Sequence, residues 1–250
     1  ASRMRMTVMR KFGLIGGTSW HSTVAYYATI NKLVNEHYGD NTNPPLRIAS
    51  LNQHEIHRLQ RADDWDAIAE ILLRAAVELQ QIGVRGIALC ANTPHKLFDR
   101  LQRGLSVPIL HIADAIGAAL HRGGWQTVGL LGTRFTMTED FIKGRLAAER
   151  GVEVLVPPAA DQAEIQDQIY SKLSYGMFGE EPRRFLTEHI ERLAEAGAEA
   201  VILGCTELPL LMKGASRSVP LVDSLNCHCT SIVRYILDDQ APEQPDSPGA

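Results

Sequence analysis

Two short stretches close apolar runs with side chains that could hold an acid or move a proton. In "VILGCTELPLL" (201–211), Cys205 ends the run and Thr206 and Glu207 follow at once. Thr206 reads as the N-cap of a following helix. A thiol there sits beside unpaired backbone N–H groups and the positive end of the helix dipole, which favour thiolate and predict a pKa below the usual ~8.5. The plain alternative is a small core residue after a buried strand. The second stretch, "GIALCANTPHKLF" (86–98), copies the layout but puts Ala91 where the matching thiol would stand. Cys90 is one residue away, and successive strand residues point to opposite faces, so its thiol is expected in the packing. Thr93 and Pro94 read as an N-cap followed by an N1 proline. Read functionally, the Asn92 amide and the helix-start N–H groups hold a carboxylate. His95, in the first turn, reads as a packed or solvated histidine. In "GTRFT", Thr133 and Thr136 follow a strand, either as an anion cradle or as an ordinary capped helix.

Other constellations carry less. "GLIGGTSW" (13–20) lacks the full G-x-G-x-x-G, and no acidic residue follows a second strand at the right place, so a dinucleotide site is not expected. "HEIH" (54–57) is not a zinc-protease motif, and neighbours in "CHC" (227–229) point apart on a helix, so no metal is expected. No lysine is singled out for a Schiff base. The net charge of −4 gives no electrostatic footprint for nucleic acid. No apolar run approaches the ~18 residues of a membrane span. The first ten residues, "ASRMRMTVMR", lack an apolar core and cleavage site and are not read as a signal peptide. Four cysteines in 250 residues do not form a disulfide framework, so a reduced, cytoplasmic thiol protein is expected.

Short continuous apolar runs predict strands at 12–16, 46–51, 86–90, 107–110, 127–131, 152–156, 200–204 and 219–222. Between them, 64–82 and 182–196 carry apolar stripes at helical spacing, and each ends at a glycine, Gly83 and Gly197. This alternation predicts an α/β fold with mainly parallel sheets flanked by helices. The chain also repeats: "GLIGGTS" (13–19) with "ALCANTP" (88–94), then "GLLGTRFT" (129–136) with "ILGCTEL" (202–208), at nearly the same spacing. Two pseudo-symmetric lobes follow, 12–112 together with 221–238, and 114–218. Residues 1–10 and 239–250 are expected as disordered tails. Loops at the carboxyl ends of parallel strands converge in a cleft between such lobes, which is where a site is expected.

The ordered series "GLIGGTSWHSTVAYY", "LCANTPHK", "LHIADA", "LLGTRFTMTEDF" and "VILGCTELPLL" resembles the aspartate/glutamate racemase superfamily, in particular its amino-acid racemase branch, over about 12–225. The resemblance implies two lobes with the active site between them, catalysis without pyridoxal phosphate or another cofactor, a small amino-acid or dicarboxylic-acid substrate, and commonly a homodimer. It makes Cys205 one of two bases on opposite faces of Cα. It assigns Asn92, Thr93, Thr133, Thr136 and Thr206 to the substrate's carboxylate and amino group, and the loop at Gly17 and Thr18 to the cleft wall. The family's first cysteine falls at Ala91, which carries no proton, so two-base activity is expected to be weakened or lost. Where dicarboxylate-specific relatives often carry a lysine, Ser174 stands, and Lys172 points in another helical direction. The alternatives are a one-cysteine decarboxylase of the same superfamily and a non-catalytic small-acid binding protein.

Overall fold

Seven parallel strands among the described residues form two sheets in the computed structural model, which describes residues 8–215 and 217–238. The first sheet holds β1 (Phe12–Gly16), β2 (Leu46–Ser50) and β3 (Gly86–Leu89) in the order β2-β1-β3. The second holds β4 (Thr127–Gly132), β5 (Glu153–Leu155), β6 (Ala200–Gly204) and β7 (Leu221–Asp223) in the order β5-β4-β6-β7. β1, β3 and β6 are buried along their whole length, as strands covered on both faces must be. The strand expected at 107–110 is reduced to one bridge, Ile87 to Ile109. Pro108 within it has no N–H to give a ladder.

The helices are α1 (Trp20–Tyr38), α2 (Gln53–Arg61), α3 (Trp65–Gln81), α4 (Phe98–Arg103), α5 (Ile112–Gly123), α6 (Arg134–Thr138), α7 (Asp140–Arg150), α8 (Ala159–Ser171), α9 (Glu180–Glu195), α10 (Glu207–Leu211) and α11 (Ser224–Leu237). The two helices read from periodicity are α3 and α9. Asp64 caps α3 by accepting from the Ala67 N–H at 3.0 Å, and Gly83 and Gly197 follow α3 and α9 at φ 78° and 106°. Ile68, Leu72, Ala76 and Leu79 make the buried face of α3. Burial of each leucine or isoleucine contributes about 1.5–3 kcal/mol, which holds a helix that propensity alone leaves marginal.

Each sheet separates two cores. Ile15, Ile87 and Leu89 pack with α2 and α3 on one face of the first sheet. Phe12, Leu14, Ala88 and Cys90 pack with α1 and α11 on the other. In the second sheet Leu131, Val201 and Leu203 face α8 and α9, while Val128, Leu130, Ala200 and Ile202 face α5 and α7. This alternation fixes where the residues beyond each strand point. Cys90 is sealed with Phe12 and Tyr26, as strand parity requires.

The expected return of 221–238 to the first lobe divides in the structure. β7 pairs with β6 through Val201–Leu221, Ile202–Val222 and Leu203–Asp223, so it extends the second sheet. α11 then leaves β7 and packs against both α1 and α5. Of the expected tails, 1–7 and 239–250 lie outside the described residues. Arg10 is held: its N–H donates to the Ile236 carbonyl at 3.0 Å and its guanidinium sits 4.7 Å over the Tyr235 ring.

Candidate active site

The strand pairings set two equivalent ends side by side. Leu89 pairs with Ile15, and Leu203 with Leu131. Two residues past each lies the same position, Ala91 in the first sheet and Cys205 in the second. Both line one inner cavity of about 70 Å³ between the sheets. Thr18, Asn92 and Thr93 line it from the first sheet, and Thr133, Thr206 and Glu207 from the second. Gly17 and Thr136 stand behind this wall. Gly17 turns the chain at φ 79°, where a Cβ would lie 2.1 Å from the Leu51 carbonyl oxygen. Thr136 is fully buried, with its Oγ1 3.2 Å from that of Thr133. The Thr133 hydroxyl accepts from the Thr136 N–H at 3.4 Å, so Thr133 caps α6 and still faces the cavity.

Several side chains bridge the lobes. Thr93 and Thr133 hydroxyls meet at 3.2 Å. The Ser19 hydroxyl donates to Glu207 at 3.4 Å. Lys96 pairs with Glu139 at 2.7 Å and lies 4.2 Å over the Trp65 ring. The Asn92 amide is oriented by a chain of donors. The Ser224 hydroxyl spends its single hydrogen on the Leu203 carbonyl at 2.8 Å, so it accepts from Asn92 Nδ2 at 3.2 Å. One of the two Nδ2 hydrogens is therefore engaged, and Asn92 also presents its Oδ1 as an acceptor. That oxygen and the Thr18 hydroxyl are buried without a hydrogen-bond partner among the described residues. Such an atom costs about 1–3 kcal/mol, an expense that a polar ligand in the cavity removes.

Thr206 occupies the N-cap position of α10 but makes no side-chain cap. Its hydroxyl donates instead to Glu207 Oε2 at 2.9 Å, and the Cys205 thiol donates to the same oxygen at 2.9 Å. The expected low thiol pKa is overturned. Burial and then the Glu207 carboxylate push Cys205 well above its ordinary value, outweighing the Glu207 and Thr206 backbone groups that pull it down. Cys205 is a thiol at neutral pH. Burial likewise raises Cys90.

A polar stripe on α2 was not anticipated. Gln53, His57 and Gln60, at i, i+4 and i+7, face the inner cavity opposite the buried Ile56 and Leu59. The spacing was present in the sequence; its opposition to an apolar face is the signal that finds it. Across from it, Tyr170 and Ser174 come from the segment at the end of α8, and the His57 and Tyr170 rings meet edge-on at 5.6 Å. Burial, with Cys205 and Glu207 nearby, pushes the Tyr170 hydroxyl up to about 12. All five residues also border a wider vestibule of about 940 Å³, whose wall includes Arg61 and Arg134. Lys172 points away and pairs with Glu181 at 3.2 Å. Among the described residues, no group of three or more His, Cys, Asp or Glu side chains could hold a metal ion. None of their helices is long and apolar enough to cross a membrane.

A family model described as Asp/Glu/Hydantoin racemase matches residues 15–232. The broad specificity amino-acid racemase RacX of Bacillus subtilis is 26% identical over 181 residues, 72% of this chain and 78% of that protein. The crystal structure of an aspartate racemase homologue from Pyrococcus horikoshii superposes with a TM-score of 0.80 at 37% identity, covering 92% of this chain and 100% of that one. A glutamate racemase from Francisella tularensis, solved in complex with D-glutamate, has a TM-score of 0.64 at 18% identity, covering 89% of this chain and 79% of that one. This last is a likeness of fold alone.

Proposed function

The chain belongs to the Asp/Glu/Hydantoin racemase family, and from that premise we propose that it is a cofactor-independent amino-acid racemase whose Cys205 thiol serves one face of the substrate Cα. The observation that carries this reading is the shared cavity of Cys205 and Ala91, with buried acceptor and hydroxyl atoms unpartnered beside them. The substrate ammonium donates to Asn92 Oδ1. Its carboxylate meets the Thr93 and Thr133 hydroxyls, close to the start of α6. Holding the carboxylate among donors in a dry cleft stabilises the negative charge that develops when Cα loses its proton.

Cys205, kept as a thiol, is the proton donor on its face. Glu207 Oε2, already accepting from that sulfur, takes the proton in the reverse direction, when a thiolate must form. Thr206 contributes by fixing the same Glu207 oxygen. The side chain of the substrate leaves the inner cavity between His57, Tyr170 and Ser174 toward the vestibule. Its room and the absence of a lysine at 174 support substrates other than aspartate and glutamate as well. A reduced, cytoplasmic setting and the family's homodimer are carried over as part of the proposal.

The test is Cα exchange in D₂O, followed by NMR, with both enantiomers of aspartate, glutamate and a panel of neutral amino acids. Deuterium incorporation with inversion into at least one amino acid is expected. No exchange with any of them would overturn the reading. The methyl of Ala91 favours one competing chemistry, protonation by Cys205 alone after loss of CO₂. CO₂ release from a malonate-type acid without amino-acid exchange would establish that instead.

A further inference from the structure

Inversion at Cα needs a proton carrier on each face, and Ala91 supplies none. The side chains of the inner cavity that can exchange a proton are His57, Tyr170, Cys205 and Glu207. The last three belong to the second-sheet side, on α8, at the end of β6 and on α10. His57 is the one that the first-sheet side contributes among the described residues. It stands on α2, whose Ile56 and Leu59 pack into the core beside β1 and β3. Resting on the racemase reading, we infer that His57 carries the proton on the face opposite Cys205, reaching Cα directly or through one water molecule in the space that a longer side chain at position 91 would fill.

The step balances as a proton relay. The Cα–H bond breaks toward an imidazole nitrogen, and its electron pair stays on Cα, delocalised into the carboxylate. The Cys205 S–H bond then breaks on the other face and a new Cα–H bond forms. Imidazolium and thiolate remain and return to their starting forms by proton exchange, the thiolate through Glu207. His57 is suited to start as the base. Burial, then Arg61, hold its ring below the ordinary histidine value, so it is neutral at pH 7, while the Thr18 backbone and Glu207 pull weakly the other way. The Tyr170 ring meets it edge-on at the cavity mouth.

The experiment compares wild type with His57→Gln, and with His57→Asn as a second variant, in D₂O, starting separately from each enantiomer of an amino acid that wild type exchanges. Unfolding midpoints verify that the variants are folded. Expected is a loss of exchange by roughly 100-fold from one enantiomer. Exchange from the other persists with retention, because Cys205 still serves that face. Adding Ala91→Cys to His57→Gln restores exchange from the silent enantiomer. Equal slowing of both enantiomers, or slowing of neither, overturns the assignment of His57 and leaves the racemase reading standing. Absence of exchange in wild type itself overturns both.

Discussion

Glu207 Oε2 accepts from both the Cys205 thiol and the Thr206 hydroxyl, each at 2.9 Å, so this carboxylate adds to burial in holding the thiol protonated. Removing its charge takes away one of the causes that raise the Cys205 pKa. In Glu207→Gln, alkylation of Cys205 by iodoacetamide at pH 8 should run roughly threefold to tenfold faster than in wild type, with the site read by peptide mass mapping. An unchanged or slower rate would show that Glu207 does not hold the thiol protonated. At the facing position, Ala91→Cys should raise racemisation by about 10-fold or more, since it adds a second thiol at the equivalent strand end. Unchanged turnover, measured by chiral chromatography, would count against the facing geometry. The positions of Cys205 and Ala91 were legible in the sequence because strand parity and the internal repeat fix them. The ionisation of Cys205 was not. A local reading registers the helix start, but burial comes from chain segments far away, and the Glu207 side chain folds back onto the sulfur instead of pointing to solvent.

Elements, more than single residues, hold the loop that carries Thr18. Gly17 and Gly39 both have positive φ, 79° and 71°, but a Cβ at Gly17 would strike the Leu51 backbone, whereas at Gly39 nothing lies within 4 Å. Gly39→Ala should therefore cost about 1 kcal/mol from conformation alone, and Gly17→Ala about 2 kcal/mol or more together with substrate binding. Urea unfolding midpoints check the order, and equal losses would contradict it. Below the site, His95 at the turn after β3, His111 capping α5 and His228 on α11 form a buried cluster. Ring centroids lie 4.8 Å apart for His95–His111 and 5.6 Å for His95–His228. His228 Nε2–H donates to the Leu110 carbonyl at 2.9 Å, so its Nδ1 accepts from the Tyr26 hydroxyl at 2.8 Å and the ring is neutral. Burial brings His95 down to about 4 and His228 down to about 3, and lowers His111 as well. The unfolded chain, with histidines near ~6.5, binds more protons below that pH. Stability should thus be complete above pH 6.5 and fall as pH drops toward 4, by up to about 1.4 kcal/mol per pH unit for each ring. Denaturant unfolding at pH 7 and pH 5 measures this, and equal stabilities would contradict it. The sequence left His95 as either packed or solvated, and the structure packs it, but the cluster gave no sign, because its members lie 16 and 117 residues apart in the chain and meet only when α5 and α11 pack.

The molecule as a whole is the sequence repeat made physical: two parallel sheets with equivalent strand ends turned toward one cleft. Alternation of apolar runs and amphipathic helices made this readable in advance. The placement of β7 was harder, because a three-residue strand carries no mark of which sheet it joins, and its pairing with β6 is decided by register across the second sheet. α11 then ties that sheet to α1, adding to the Thr93–Thr133, Ser19–Glu207 and Lys96–Glu139 contacts between the lobes. The proposal that the Cys205 thiol between the lobes exchanges a proton with a substrate Cα is tested most directly by Cα deuterium uptake from each enantiomer by wild type and by Cys205→Ala. Exchange by wild type, with loss in Cys205→Ala of inversion and of uptake from the enantiomer whose Cα–H faces the sulfur, is the predicted result. Cys205→Ala that exchanges and inverts both enantiomers at the wild-type rate would contradict it.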